Sequence, residues 1–278
     1  MNILHITSSY YPVLGGQEKV VYEISKEMVK KGHNVTILTT DLYCEEKNLP
    51  KEEIIEGIKI KRFKNDFFLR GFGYSSSAIK WLKENWKFYD VIHSHGYNRF
   101  LSEYSIFYLK NKKPTIFTPH GFIHTKKNYL FKKIHDWTIG KWINNATFCT
   151  ALTKMDFKDY KKLGVKEEKI IEIPNGVNIK KFSQFNKQEV KNLKKKYNLS
   201  KKIILYVGRL HISKGIQYVL EVIKDLNVQF VIAGKDYGYK KILKEKISTL
   251  NIANKVIFID QMEEKQLINL YQSCDIDL

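Results

Sequence analysis

At 278 residues the chain has room for two domains of ordinary size, and an apolar content of 43% excludes wholesale disorder. A formal net charge of +19 favours anionic partners: nucleic acid, phosphorylated small molecules or an acidic membrane surface. No run approaches the roughly 18–20 apolar residues of a membrane span, which excludes a bilayer-crossing helix.

The start of the chain lacks a basic region ahead of a long apolar core, so no secretory signal is expected. Three scattered cysteines, Cys44, Cys149 and Cys274, read as buried thiols in a reducing compartment. The expectation is a cytoplasmic protein, either freely soluble or peripheral on the inner face of the cell membrane. Lys, Ile and Asn are abundant throughout, as an A+T-rich coding sequence would produce. Two readings of the charge therefore stand: solvated helix faces, or a face that meets anionic lipid. The lysines are dispersed rather than interleaved with aromatics along a groove, which argues against nucleic acid as a partner.

Strand and helix patterns alternate from the first residues. Residues 2–7 read as a strand. Gly15-Gly16 opens a helix to residue 31, with Val20, Val21, Ile24, Met28 and Val29 on its apolar face, and Gly32 stops it. Residues 34–40 are the next strand, which makes a βαβ unit and implies a parallel sheet. Residues 54–63 read as one edge strand. Residues 67–74 read as an aromatic loop, either packed on the sheet or touching an acceptor or lipid headgroups. A helix at 76–86, a strand at 90–95, a helix at 99–110 and a strand at 114–118 follow. A basic, aromatic helical stretch at 130–144, a strand at 146–152, a helix at 155–162 and a strand at 170–173 complete the first half.

Pro174-Asn175-Gly176 is turn chemistry and marks a joint. The expected division is residues 1–173, a hinge at 174–182, and a second domain from 183 to 278. In the second half helices are expected at 188–197, 215–224, 239–250 and 263–272, and strands at 203–207, 228–234 and 255–259. Residues 275–278 begin a further element, and three full strands are few for a domain of this class. The second domain is therefore expected to be incomplete.

The most informative stretch is residues 207–215, where Arg209 and Lys214 lie between a buried strand and a helix start. Open α/β sheets bind ligands at that edge, and helix N-termini favour anions. Two readings stand, a diphosphate clamp and a pair of solvated charges. The spacing is neither a Walker A loop nor GxGxxG. In the first half, Gly15-Gly16, His93, His95 and His120-Gly121 fall at the corresponding edges. His93 and His95 are two apart in a strand and face one way, as a metal pair would, but no third ligand is apparent; His95 reads better as a hydrogen-bonding or packing residue.

Taken together, these motifs resemble the family 4 retaining glycosyltransferases of the GT-B fold. The matching residues are Gly15-Gly16-Gln17-Glu18, Gly32-His33, His93 to His95, Pro119-His120-Gly121, Pro174-Asn175-Gly176, Gly208-Arg209 with Lys214-Gly215, Ala233-Gly234, and Ser273-Cys274-Asp275. The resemblance implies an α/β chain with two Rossmann-like βαβ domains facing across a cleft. It implies that Arg209 and Lys214 neutralise the diphosphate of a nucleotide-sugar donor and stabilise the leaving nucleoside diphosphate, with no metal and no other cofactor. It places His120 beside the transferred sugar, with His95 and the amides of Gly15 and Gly16 in the binding shell. Gly208, Gly234, Gln261 and Met262 would line the donor's diphosphate and base. A glycan or lipid-linked acceptor is implied as the second substrate. The family's pair of glutamates, separated by seven intervening residues, is expected beyond Asp275 and is not in this chain. An inactive remnant, or one half of a split enzyme completed by a second chain, is thus the alternative.

Overall fold

A computed structural model describes residues 1–13, 15–44, 49–69, 72–122, 129–184, 186–200, 202–260 and 262–278. The chain divides into two compact units, Met1–Gly176 and Val177–Leu278.

Unit 1 is built on an eight-stranded sheet of order β10-β9-β8-β7-β1-β2-β4-β3. In chain order the elements are β1 (Asn2–Ile6), α1 (Gly16–Lys30), β2 (Asn34–Thr40), β3 (Glu52–Ile55) and β4 (Ile58–Phe63). A small hairpin follows, β5 (Phe67–Leu69) and β6 (Phe72–Tyr74), then α2 (Ser76–Asn85), β7 (Val91–His95), α3 (Phe100–Tyr108) and β8 (Thr115–Thr118). The unit ends with α4 (Tyr129–Trp137), β9 (Phe148–Ala151), α5 (Lys154–Lys162) and β10 (Ile170–Glu172). All neighbouring pairs in the large sheet are parallel except β3 with β4. Helices cover both faces, so the central strands are apolar on both sides. Leu4, Ile6, Leu38 and Ile92 pack under α2 and α3, and Ile37, Ile58 and Ile60 pack with Val21 of α1.

Three readings need correction, two in this half and one on cysteines of both. The single edge strand at 54–63 is two antiparallel strands, β3 and β4, turned by Glu56 and Gly57 at φ 47° and 81°. A tight hairpin needs that left-handed pair, and β4 is interior beside β2 while β3 forms the edge. The aromatic stretch is a hairpin rather than a loop. Phe72 and Tyr74 pack on Phe100, whereas Phe67, Phe68 and Leu69 are exposed; Arg70 lies outside the described residues. Of the cysteines only Cys149 is buried; Cys44 and Cys274 are half-buried.

Unit 2 carries α6 (Ile179–Phe182), α7 (Lys187–Lys196), β11 (Lys202–Val207), α8 (Ile216–Ile223), β12 (Val228–Ala233), α9 (Lys240–Thr249), β13 (Val256–Ile259), α10 (Glu264–Ser273) and β14 (Ile276–Asp277). Its sheet is parallel throughout, in the order β13-β12-β11-β14. The last residues, read from sequence as the start of a further element, add a short fourth strand. Asp275 N donates to Ile203 O at 2.9 Å, and Leu278 N to Leu205 O at 3.0 Å. Ile203, Leu205 and Val231 are sealed by Leu193 of α7 and Leu270 of α10, while Phe230 and Ile232 lie under α8 and α9. Among the described residues no helix is long and apolar enough to cross a membrane.

Candidate active site

The carboxyl edge of the unit 2 sheet gathers most of the expected donor residues. Arg209 follows β11 and is exposed, its guanidinium 5.5 Å from the centre of the Tyr237 ring. Tyr206 Oη donates to Arg209 O at 2.9 Å and pins the loop. A short 3-10 turn over Ile212–Lys214 follows, and Gly215, at φ 73°, swings the chain into α8. Lys214 is exposed at that helix start, and among the described residues neither Arg209 nor Lys214 forms an ion pair. Two unpaired cations at a strand end and a helix N-terminus form a cradle for an anion.

Gly208 and Gly234 lie side by side at the ends of β11 and β12. A Cβ on Gly234 would stand 2.1 Å from Gly208 O, and Gly234 holds φ 141°, so only glycine fits there. This close approach leaves the backbone at the edge bare. Next to it the amides of Lys240 and Tyr239 bond the Asp236 carboxyl and hold it below its ordinary range. Met262 is half-buried against the Leu193 and Leu270 core, and Gln261 lies outside the described residues.

In unit 1 the corresponding edge is made by the ends of β1, β7 and β8. Gly15 is the N-cap of α1 and Gly16 its first residue. A Cβ on Gly16 would meet nothing within 4 Å, so the protein's own packing does not demand glycine there, and close approach of a ligand is a use that remains. Behind the loop, Gln17 Nε2 donates to Thr7 Oγ1 at 2.9 Å and Ser9 Oγ donates to the Glu18 carboxylate. His120 follows β8 with φ 52°, a left-handed conformation uncommon for a residue with a side chain, before Gly121 at φ 100°.

Parallel pairing brings together histidines that are distant in sequence. His5 is in register with His93, and His95 lies two residues along the same face. His5 Nδ1 and His95 Nε2 are 2.9 Å apart, and His95 Nδ1 and His120 Nε2 are 3.0 Å apart. His93 Nε2 is 2.7 Å from Thr118 Oγ1, which also bonds Thr150. Burial lowers His5 and His120 to about 4, and burial followed by neighbouring imidazoles keeps His93 and His95 well below the usual histidine range. All four are neutral near pH 7.

The cluster corrects two readings. His95 is fully buried with both ring nitrogens engaged, so it touches His120 rather than a ligand. A third histidine does join His93 and His95: His5, whose ligand atom lies with theirs within 4.8 Å. His5 and His95 bond one another across the 2.9 Å contact of His5 Nδ1 with His95 Nε2, which leaves His5 Nε2 as the nitrogen without a partner among the described residues. His5 went unseen because strand register is not written in a single strand's sequence. Its only signal is an imidazole in the apolar run of residues 2–7.

The sequence profile described as Glycosyltransferase Family 4 matches residues 14–181, and that described as Glycosyl transferases group 1 matches residues 187–277. Among curated relatives, the GDP-mannose:cellobiosyl-diphosphopolyprenol alpha-mannosyltransferase of Xanthomonas campestris is 23% identical over 98% of this chain and 70% of its own length. The alpha-monoglucosyldiacylglycerol synthase of Streptococcus pneumoniae is 27% identical over 99% of this chain and 65% of its own. The chain thus spans about two thirds of the length of such relatives. Among solved structures, the Anabaena protein Alr3699/HepE in complex with UDP superposes with a TM-score of 0.75 at 16% identity, covering 100% of this chain and 73% of that one. The sucrose-phosphate synthase of Thermosynechococcus elongatus gives 0.75 at 17% identity, covering 99% and 74%. These likenesses establish the α/β architecture of the GT-B glycosyltransferases.

Proposed function

The chain belongs to glycosyltransferase family 4, and on that premise we propose that it moves a hexose from a nucleotide-diphosphate sugar to a glycan or lipid-linked acceptor, retaining configuration without a metal. The observation that carries this reading is the pair of exposed cations, Arg209 and Lys214, which form no ion pair among the described residues, beside the bare backbone of Gly208 and Gly234. When the bond from the sugar's anomeric carbon to the diphosphate breaks, its electrons go to the leaving phosphate oxygen. Cations already in place there stabilise that charge and take over the work of a metal. The acceptor hydroxyl attacks from the face the diphosphate leaves, and its proton passes to the departing phosphate oxygen. No protein nucleophile is needed. In this reading Gly15 and Gly16 present amides to substrate oxygens, His120 meets a sugar hydroxyl, and Met262 borders the base. HepE's complex with UDP and the named donor of the Xanthomonas relative support a nucleotide sugar as donor.

A lipid-linked acceptor, and attachment to an anionic membrane, are favoured by α4. Leu130, Ile134 and Trp137 fall at spacings of four and three and are 70%, 55% and 73% exposed. Lys133 and Lys141 flank that stripe, both exposed. A groove of about 620 Å³ continues beside it, lined by Phe122, Trp137, Lys141, Lys162 and Leu163 among others. Apolar residues edged by lysines match the acyl and phosphate layers of an anionic bilayer surface.

Release of nucleoside diphosphate from a panel of UDP-, GDP- and ADP-sugars, with polyprenyl-diphosphate and diacylglycerol acceptors and EDTA present, tests the reading. Transfer in EDTA with an unchanged anomeric configuration supports it. Transfer that stops in EDTA and returns with Mg²⁺ or Mn²⁺ contradicts the metal-free mechanism.

A further inference from the structure

His5, His95 and His120 form one hydrogen-bonded row running from the sheet interior to the carboxyl edge, with contacts of 2.9 and 3.0 Å. A neutral imidazole has one N–H and one lone pair, so both bonds must run in the same direction. Run outward, His5 Nδ1–H donates to His95 Nε2, and His95 Nδ1–H donates to His120 Nε2. The nitrogens left over are then a lone pair on His5 Nε2 and an N–H on His120 Nδ1. Run inward, the leftovers swap: His5 Nε2 carries an N–H and His120 Nδ1 a lone pair.

The buried end decides between them. His5 is fully buried, and its Nε2 has no hydrogen-bond partner among the described residues. A buried N–H without a partner is a rarer defect than an under-used acceptor. From this geometry we infer that His5 and His95 are positioning residues that hold His120 in its Nδ1–H tautomer, making its outward nitrogen a hydrogen-bond donor. His120 meets His95 from a left-handed backbone, φ 52°, with the ring centres 5.3 Å apart. The inferred donor fits an oxygen of a sugar substrate and not a hydroxyl's proton. That consequence rests on the proposed role of His120; the tautomer does not.

The test is a long-range ¹H–¹⁵N correlation spectrum of the ¹⁵N-histidine-labelled full chain near pH 7.5, without substrate. His5, His95 and His120 are expected to show protonated Nδ1 and bare Nε2, the reverse of the tautomer preferred by free neutral histidine. His95→Phe is expected to release His120 to the Nε2–H form. His95→Asn, whose amide nitrogen stands in for Nδ1, is expected to retain Nδ1–H at His120. Protonated Nε2 on His120 in the unaltered protein overturns the inference. So does a pattern in which His5 Nδ1 and His95 Nε2 are both bare, as a shared metal ion would produce. The wild-type spectrum decides the matter even if the variants fold poorly. In the transfer assay His95→Phe is expected to lower kcat/KM roughly tenfold, the scale of one hydrogen bond, and His95→Asn to recover most of it. Correct tautomers with no kinetic effect would leave the tautomer standing and sink the role given to His120.

Discussion

His135 and Glu103 are both buried in unit 1, with His135 Nε2 3.2 Å from Glu103 Oε1 and Asp136 beside them. Burial alone would lower the histidine. Hydrogen bonds and charge from Asp136 and Glu103 overcome it and raise His135 to about 9. Its folded value is thus above its unfolded value of 6.5. The stability it contributes is complete below about pH 6.5 and is lost as pH rises through 9. His5 and His120 have the opposite sign: their folded values near 4 are below 6.5, so their contribution is present above 6.5 and lost as pH falls through 4. Each shift corresponds to roughly 3 kcal/mol. Urea unfolding followed from pH 4 to pH 10 is therefore expected to give greatest stability for unit 1 near neutrality, falling on both sides. A flat profile would mean that these imidazoles titrate alike folded and unfolded. Little of this was legible beforehand. His93, His95 and His120 stood out by their strand-end positions, whereas His5 and the Glu103–His135 pair depend on which strands and helices become neighbours.

Among the elements, α4 departs furthest from the pattern of a packed helix. Among its described side chains the buried one is His135, while Leu130, Ile134 and Trp137 face outward. A helix whose large apolar residues stay in water lacks its usual source of tertiary stability. Docking on a bilayer would bury that stripe at about 1.5–3 kcal/mol for each large side chain. The full chain is expected to co-sediment with phosphatidylglycerol vesicles and far less with phosphatidylcholine, with blue-shifted Trp137 emission. Replacing Leu130, Ile134 and Trp137 together by Ser should weaken binding more than tenfold without unfolding the protein, because all three are exposed. Equal binding by the variant would refute this docking surface. The stretch 130–144 was legible as basic, aromatic and helical, but its outward face was not, since periodicity shows that a helix has a stripe and not what covers it. The turn at Glu56-Gly57 was missed for a related reason: a glycine inside an apolar run signals a bulge, a close approach or a reversal with equal force.

At the scale of the whole molecule, βα alternation carried the architecture. Each helical pattern between two apolar runs implied a parallel crossover, and two series of them yield the eight- and four-stranded sheets. The carboxyl edges of those sheets then follow, and with them the places where Gly15, His120, Arg209 and Gly234 stand. The order of strands, which sets His5 beside His93 and β14 beside β11, comes from long-range packing that no local window contains. The central claim is that unit 2 holds a nucleoside diphosphate on Arg209 and Lys214. Isothermal calorimetry of the full chain with UDP, GDP and ADP in EDTA tests it most directly. One of these nucleotides should bind, and Arg209→Ala and Lys214→Ala should each weaken it about tenfold or more, as loss of a charge-assisted hydrogen bond does. Binding of that nucleotide with unchanged affinity in both variants would contradict the account.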